Sequence, residues 1–502
     1  MGLERITPEQ AGISGEKVKE CIQKLMHDET QMHGFMAARD GKVFAEGWWT
    51  PYGPERIHCN HSLGKSYTAA AIGILYTQRK LKLEERVVDL FADELRQYGI
   101  EPDENMKKLT VYHVLTMTNG MARHPIMDAD WLKNYLAEPV VAEPGTEFLY
   151  NSSGSCLLGA IVKKKTGKGM REFLKEFLFD KIGIDGERFQ IFRFPDGYDA
   201  EPGTASVTED NLRLAILFMN YGNWNGEQII AEDWMHMAMS CQISTEPNGG
   251  TEDYRHGYGF QLWNSAIPGV YRFDGGQGQY GLIWPERKIA VAIHEGAVMP
   301  EGPQITLDVL YEYLLNEMRN EPLPENPQAD AALLEFERNL KVPEQEANTL
   351  YVPTECFSGS YAVVSGDGDP WISVAPGGYN FFTCFYHDDK KQAFTDFTLK
   401  MDEQKCVFTV DGYAVFEAYF DGKHHPVYTD NVLPEIGWNC SYARYLDEDT
   451  LQITTKWLNG WFDDRIVMKK KGDILEMTFY KDRLTVSDNR YTIKHCTAKR
   501  QQ

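Results

Sequence analysis

Residues 61–76 read HSLGKSYTAAAIGILY. Small and apolar side chains fall on nearly every side of a helix here, and Gly73 is its one breaker. A helix with no polar stripe has no face to offer to water, so it is expected to be buried, with the rest of a domain wrapped around it. Its chemistry-bearing residues gather at its start. Ser62 and Lys65 are three apart, which puts them on one face at about 5–6 Å between Cβ atoms. The dipole at a helix N-terminus favours developing negative charge. A serine hydroxyl is a weak nucleophile until a neighbour takes its proton. A lysine serves once burial or a nearby cation lowers its pKa from about 10.4. Alone, Ser-x-x-Lys also describes a capping serine and a solvated lysine. A buried helix argues that Lys65 faces something specific.

Two nucleotide motifs fail on inspection. Gly64-Lys65-Ser66 ends like a phosphate-binding loop, but that loop needs glycine where Cys59 stands, and ERIHCNH before it is no apolar strand. GQGQYG at 276–281 matches a dinucleotide fingerprint in letters. It is followed by Leu-Ile-Trp-Pro, which does not open the required helix.

The 502 residues carry a net charge of −23, which argues against general binding to nucleic acid. There is no apolar run of about 18 residues, so no membrane span is expected. The N-terminus lacks a signal-peptide core, and Ile6 stands where myristoylation wants Ser or Thr. The nine cysteines are scattered and form no C-x-x-C pair. Reduced thiols and a cytoplasmic location are the expectation. His58 and His61 flank Cys59 without a matching ligand set, so neither metal nor cofactor is expected. SGDGDP at 365–370 reads as a turn rather than a calcium loop.

Along the chain, residues 1–319 mix strands and helices. FMAARDGKVFAEGWW (35–49) reads as a hairpin around Asp40-Gly41, and GLIWPERKIAVAIH (281–294) as a second one. Strands at both ends with helices between predict an α+β fold: an antiparallel sheet flanked by helices and completed by both ends of the segment. NEPLPENPQ opens a linker over 320–349 that contains a short helix near 329–341. Residues 350–502 change character. Short alternating runs such as CFSGSYAVV, YNFFTCFY and KCVFTVDGYAVFEAYF predict an all-β barrel or sandwich.

These pieces together resemble the serine β-lactamase and penicillin-binding-protein superfamily, and within it the class C-like branch of esterases, D-amino-acid peptidases and amide hydrolases. The likeness runs over nearly all of 7–318. TPEQAGIS (7–14), LTVYHVLTMTNGM (109–121), EPGTEFLYNSSGSCLLGAIVKKKTGK (143–168) and LRLAILFMNYGNWNGEQIIAEDWM (212–235) follow in family order. Ser-x-x-Lys is an established motif of that family. The resemblance implies that Ser62 is the nucleophile and that Lys65 and Tyr150 move protons. The family's Tyr-x-Asn is here Tyr150-Asn151-Ser152, so Ser152 takes the asparagine's place. Its third motif, usually Lys- or His-x-Gly, maps onto Asp274-Gly275-Gly276-Gln277. The amides of Ser62 and Gln277 would form the oxyanion hole, with Gly276 letting substrate approach the backbone. Asp274 would repel the carboxylate of a β-lactam or D-Ala peptide, which implies neutral or cationic esters, amides or short peptides. No cofactor is implied, and a bacterial source is. Asn60-His61-Ser62 and Asn151-Ser152-Ser153 read as glycosylation sequons, but both overlap this site. The C-terminal part resembles, in layout alone, the lipocalin-like barrel appended to some of these hydrolases. Trp371, Trp438, Trp457 and Trp461 are its candidates for core or ligand surface.

The alternatives are a non-catalytic binding protein on the same scaffold, or an acyltransferase.

Overall fold

A computed structural model describes residues 2–194, 196–299, 301–366, 395–410, 413–428, 437–460, 463–482 and 491–501. The chain divides into two compact units. The first holds residues 1–48 and 57–340, and the second holds 49–56 and 341–502.

The first unit is built on a six-stranded antiparallel sheet. Its strands are β1 (Met32–Arg39), β2 (Lys42–Trp48), β3 (Trp263–Asn264), β4 (Tyr271–Gly275), β5 (Gln279–Trp284) and β6 (Ile289–Glu295), in the spatial order β2-β1-β6-β5-β4-β3. The two ends of the segment meet at the β1–β6 pairing, as the sequence predicted. The β1–β2 hairpin turns at Asp40 and Gly41, both at positive φ (49° and 76°), the backbone that a two-residue turn matched to strand twist requires. Side chains alternate across the sheet. Phe273 faces Phe218 of one helix, while Tyr280, from the opposite face, donates its hydroxyl to the carbonyl of Pro303 at 3.1 Å.

Helices therefore cover both faces. The helices of ten or more residues in this unit, among the described residues, are α1 (Gly15–Leu25), α2 (Gly64–Thr77), α3 (Ser152–Thr166), α4 (Thr208–Met219), α5 (Glu301–Leu310) and α6 (Pro327–Arg338). Every residue of α2 from Gly64 to Leu75 is buried, which is the outcome its sequence demanded. Gly73 sits where α2 meets Ile230 and Trp234; a Cβ there would lie 2.8 Å from Ile230 Cγ2.

The second unit is a closed barrel. Its strands are β7 (Gly359–Gly366), β8 (Asp396–Met401), β9 (Lys405–Val410), β10 (Tyr413–Tyr419), β11 (Val427–Tyr428), β12 (Trp438–Asp447), β13 (Thr450–Trp457), β14 (Asp463–Lys471), β15 (Ile474–Asp482) and β16 (Tyr491–Arg500). Nine of them run β10-β9-β8-β7-β16-β15-β14-β13-β12, and β10 closes the ring by pairing parallel to β12 at Ala418–Ser441 and Tyr419–Tyr442. The short β11 takes the rest of the same β12 edge. Inside, Tyr361, Phe397, Phe408 and Phe416 stack in sequence across four neighbouring strands at 5.1–5.3 Å between ring centres. Trp457 is core, and its indole donates to Asp464 Oδ2 at 2.9 Å. Trp438 is half-buried, with the Arg56 guanidinium 3.8 Å over its ring. Residues 49–56 also give Tyr52 to a cluster with Cys440, Tyr442 and Leu458. Trp371, Trp461, the run YNFFTCFY and most of the turn at 365–370 lie outside the described residues.

Candidate active site

The segment into α2 is shaped by strain and packing. His61 precedes the serine at φ 50°, a conformation uncommon for a residue with a side chain. Residues His61–Leu63 form a 3₁₀ turn that runs into α2. Behind it lies a buried polar network. Asn60 Nδ2 donates to Ser206 Oγ at 2.9 Å, and Asn211 Nδ2 donates to Asn60 Oδ1 at 2.9 Å. Tyr67 donates its hydroxyl to Asn211 Oδ1 at 2.9 Å. The His294 ring lies in the same network, 3.0 Å from Asn60 Oδ1 and 3.1 Å from Thr208 Oγ1. His58 stacks on His294 at 4.5 Å. Burial, with the neighbouring His58, holds both His61 and His294 well below the ordinary histidine range. These histidines support the backbone behind Ser62. No group of three or more His, Cys, Asp or Glu among the described residues is arranged to hold a metal ion. Asn60 and Asn151, the two sequon asparagines, are fully buried.

Three of the predicted residues meet. Lys65, 1% exposed, donates from Nζ to Ser62 Oγ at 2.9 Å. Lys65 Nζ lies 5.1 Å from the Tyr150 ring centre. Burial pushes the Tyr150 phenol above its usual range, while nearby Ser62 pulls it down. Tyr150 is held by an aromatic wall that sequence reasoning missed. Its ring stacks on Trp263 at 5.8 Å, and Tyr254 and Tyr258 meet Trp263 edge-on at 4.8 and 4.9 Å.

The second motif divides its work. Asn151 is not turned to Lys65. It caps α3, with Oδ1 accepting from Gly154 N at 3.0 Å and from Ser153 Oγ at 2.6 Å. Ser152 opens α3 half-buried, and its amide donates to His124 Nε2 at 2.9 Å.

The third motif lies at the end of β4. Gly275 runs so close to the 3₁₀ turn that a Cβ would overlap the Asn60 carbonyl. Gly276 faces open space, and Gln277 sits in the β4–β5 turn rather than on a strand, at φ 63°. Asp274, which the sequence places where the family's cation stands, does not act alone. Arg272 Nε donates to its Oδ2 at 2.8 Å and the Tyr254 hydroxyl to its Oδ1 at 3.0 Å. Arg272 and Asp274 share one face because strand side chains alternate. Arg272 also lies 3.6 Å from Asp253 Oδ1 and is fully buried. Burial works against its charge, but Asp274 and Asp253 outweigh it and raise its pKa. Burial pushes the Asp274 carboxyl up against the pull of Arg272 and Tyr254.

The Beta-lactamase family model matches residues 18–295, and the chain belongs to that family. It is 30% identical over 306 residues to penicillin-binding protein 4 of Amycolatopsis lactamdurans, covering 53% of this chain and 77% of that one. A shorter stretch of 108 residues is 27% identical to monacolin J acid methylbutanoyltransferase of Aspergillus terreus, covering 18% of this chain and 26% of that one. Among solved structures, a penicillin-binding protein homologue from Caulobacter crescentus aligns with a TM-score of 0.50 at 15% identity, covering 62% of this chain and all of that one. No helix among the described residues is long and apolar enough to cross a membrane.

Proposed function

We propose that this chain is a serine hydrolase that works through an acyl-enzyme on an ester, amide or peptide bond. The 2.9 Å contact between Lys65 Nζ and Ser62 Oγ, with the Tyr150 ring 5.1 Å from the same Nζ, carries this reading. In it, Lys65 in its neutral amine form takes the Ser62 proton as Ser62 attacks the carbonyl. Tyr150 hands its proton to the leaving group and regains one from the Lys65 ammonium formed in the attack, since burial disfavours a lasting phenolate. The amides of Ser62 and Gln277 hold the oxyanion, and water then releases the acyl group. Gly276 and Ser152 border the substrate.

Arg272 is buried and tied to Asp274 and Asp253, so it does not reach a substrate carboxylate. This supports neutral or amine-bearing small molecules or short peptides over β-lactams. A fluorophosphonate probe, which phosphonylates an activated serine, tests the reading by intact mass. A single adduct on the wild type that is absent from Ser62→Ala is expected; an adduct on both, or on neither, ends it.

A further inference from the structure

We infer that His124 is a positioning residue for this reaction: while neutral, it accepts the Ser152 amide and so fixes the turn that carries Tyr150. The inference rests on the hydrolase reading above and adds a residue to it.

The first turn of a helix leaves amide N–H groups without intrahelical partners. At α3 two side chains share them. Asn151 takes the Gly154 amide, and His124, from a loop 28 positions earlier, takes the Ser152 amide. Tyr150 immediately precedes this pair, so the direction of its side chain depends on both caps. The His124 tautomer follows from its partners. Nδ1 lies 2.8 Å from the Pro125 carbonyl, which only accepts, so Nδ1 carries the proton. Nε2 is then a lone pair and accepts from Ser152.

Protonation would place an N–H on Nε2, donor against donor, and the cap would open. The group that faces His124 from α2 is Lys65. On its own loop, Arg123 is already paired with Glu138 at 3.2 Å. Partial burial holds the imidazole below its usual pKa, and Lys65 adds to this whenever it is protonated, which favours the form the cap needs.

The test uses the full chain and a fluorophosphonate probe. Wild type that forms no Ser62 adduct at pH 8 ends the hydrolase reading itself. Given labelling, its rate is compared from pH 5 to 9 among wild type, His124→Gln and His124→Ala, with circular dichroism as a folding check. The glutamine amide oxygen accepts from Ser152 at every pH, so His124→Gln should keep the pH 8 rate within about threefold and move the acid limb to lower pH. His124→Ala should lose on the order of tenfold at pH 8. An acid limb unchanged in His124→Gln, or an alanine variant that labels like wild type, overturns the inference. If the alanine variant does not fold, the glutamine comparison decides.

Discussion

Arg272 and Asp274, two residues apart on β4, form a buried ion pair with Nε 2.8 Å from Oδ2. The strand thus supplies a cation two residues from Asp274 and points it inward at two carboxylates.

Removing Arg272 leaves Asp253 and Asp274 buried together without a counter-charge. Arg272→Met is expected to cost about 3–5 kcal/mol in urea unfolding, the usual cost of breaking a buried pair from one side. Asp274→Asn should cost less, because its amide oxygen still accepts from Arg272 and its NH2 can donate to the Tyr254 hydroxyl, which turns to accept. Equal losses for the two variants would contradict this.

Tyr150→Phe keeps the ring on Trp263 and deletes only the hydroxyl. Turnover of an unactivated alkyl ester or amide should fall by roughly 10²–10⁴, the range for losing a general acid or base, with little change in thermal midpoint. A small loss of rate with a large loss of midpoint would make Tyr150 a packing residue.

Two glycines of the β4–β5 turn should respond differently to alanine. At Gly278, with φ 87°, a Cβ would overlap the Glu295 carboxylate, whereas at Gly276 nothing lies within 4 Å. Gly278→Ala should displace Gln277 and abolish fluorophosphonate labelling. Gly276→Ala should fold normally and affect mainly bulky substrates.

Glu337 on α6 accepts the Glu46 amide at 3.3 Å, and burial pushes its carboxyl from 4.5 up to about 8. Its folded pKa is raised, so between those values the folded chain binds more protons than the unfolded one, and stability falls as pH rises. Compared with Glu337→Gln, wild type should lose up to about 1.4 kcal/mol per pH unit in that window. Denaturation midpoints at pH 5, 6.5 and 8 measure it; a constant difference would refute the assignment.

Local pattern was enough for α2, because a helix apolar on all sides has only one place to go, and for the hairpin at Asp40-Gly41, because its turn demands positive φ. Ser62 and Lys65 were legible because their spacing is itself the geometry. Asp274 was legible as a position but not as an electrostatic environment. Its partner Arg272 sits at strand period two and was in plain view, whereas Tyr254 arrives from 20 residues away through the tertiary fold. His124 and Trp263 left no local signal, since each acts only through the residue it meets in space. The barrel's alternating runs announced strands. Its parallel seam between β10 and β12 did not show, because alternation is the same in parallel and antiparallel pairs.

Residues 49–56 belong to the barrel's unit although they lie far upstream of its other strands. The backbone therefore passes between the two units three times, at 48–49, 56–57 and 340–341. A gene cut once at 340 would leave Tyr52 and Arg56 on the wrong fragment, away from the Cys440 cluster and the Trp438 ring. Single-junction recombination cannot move this barrel intact between proteins. Its inheritance is bound to that of the loop just before Ser62.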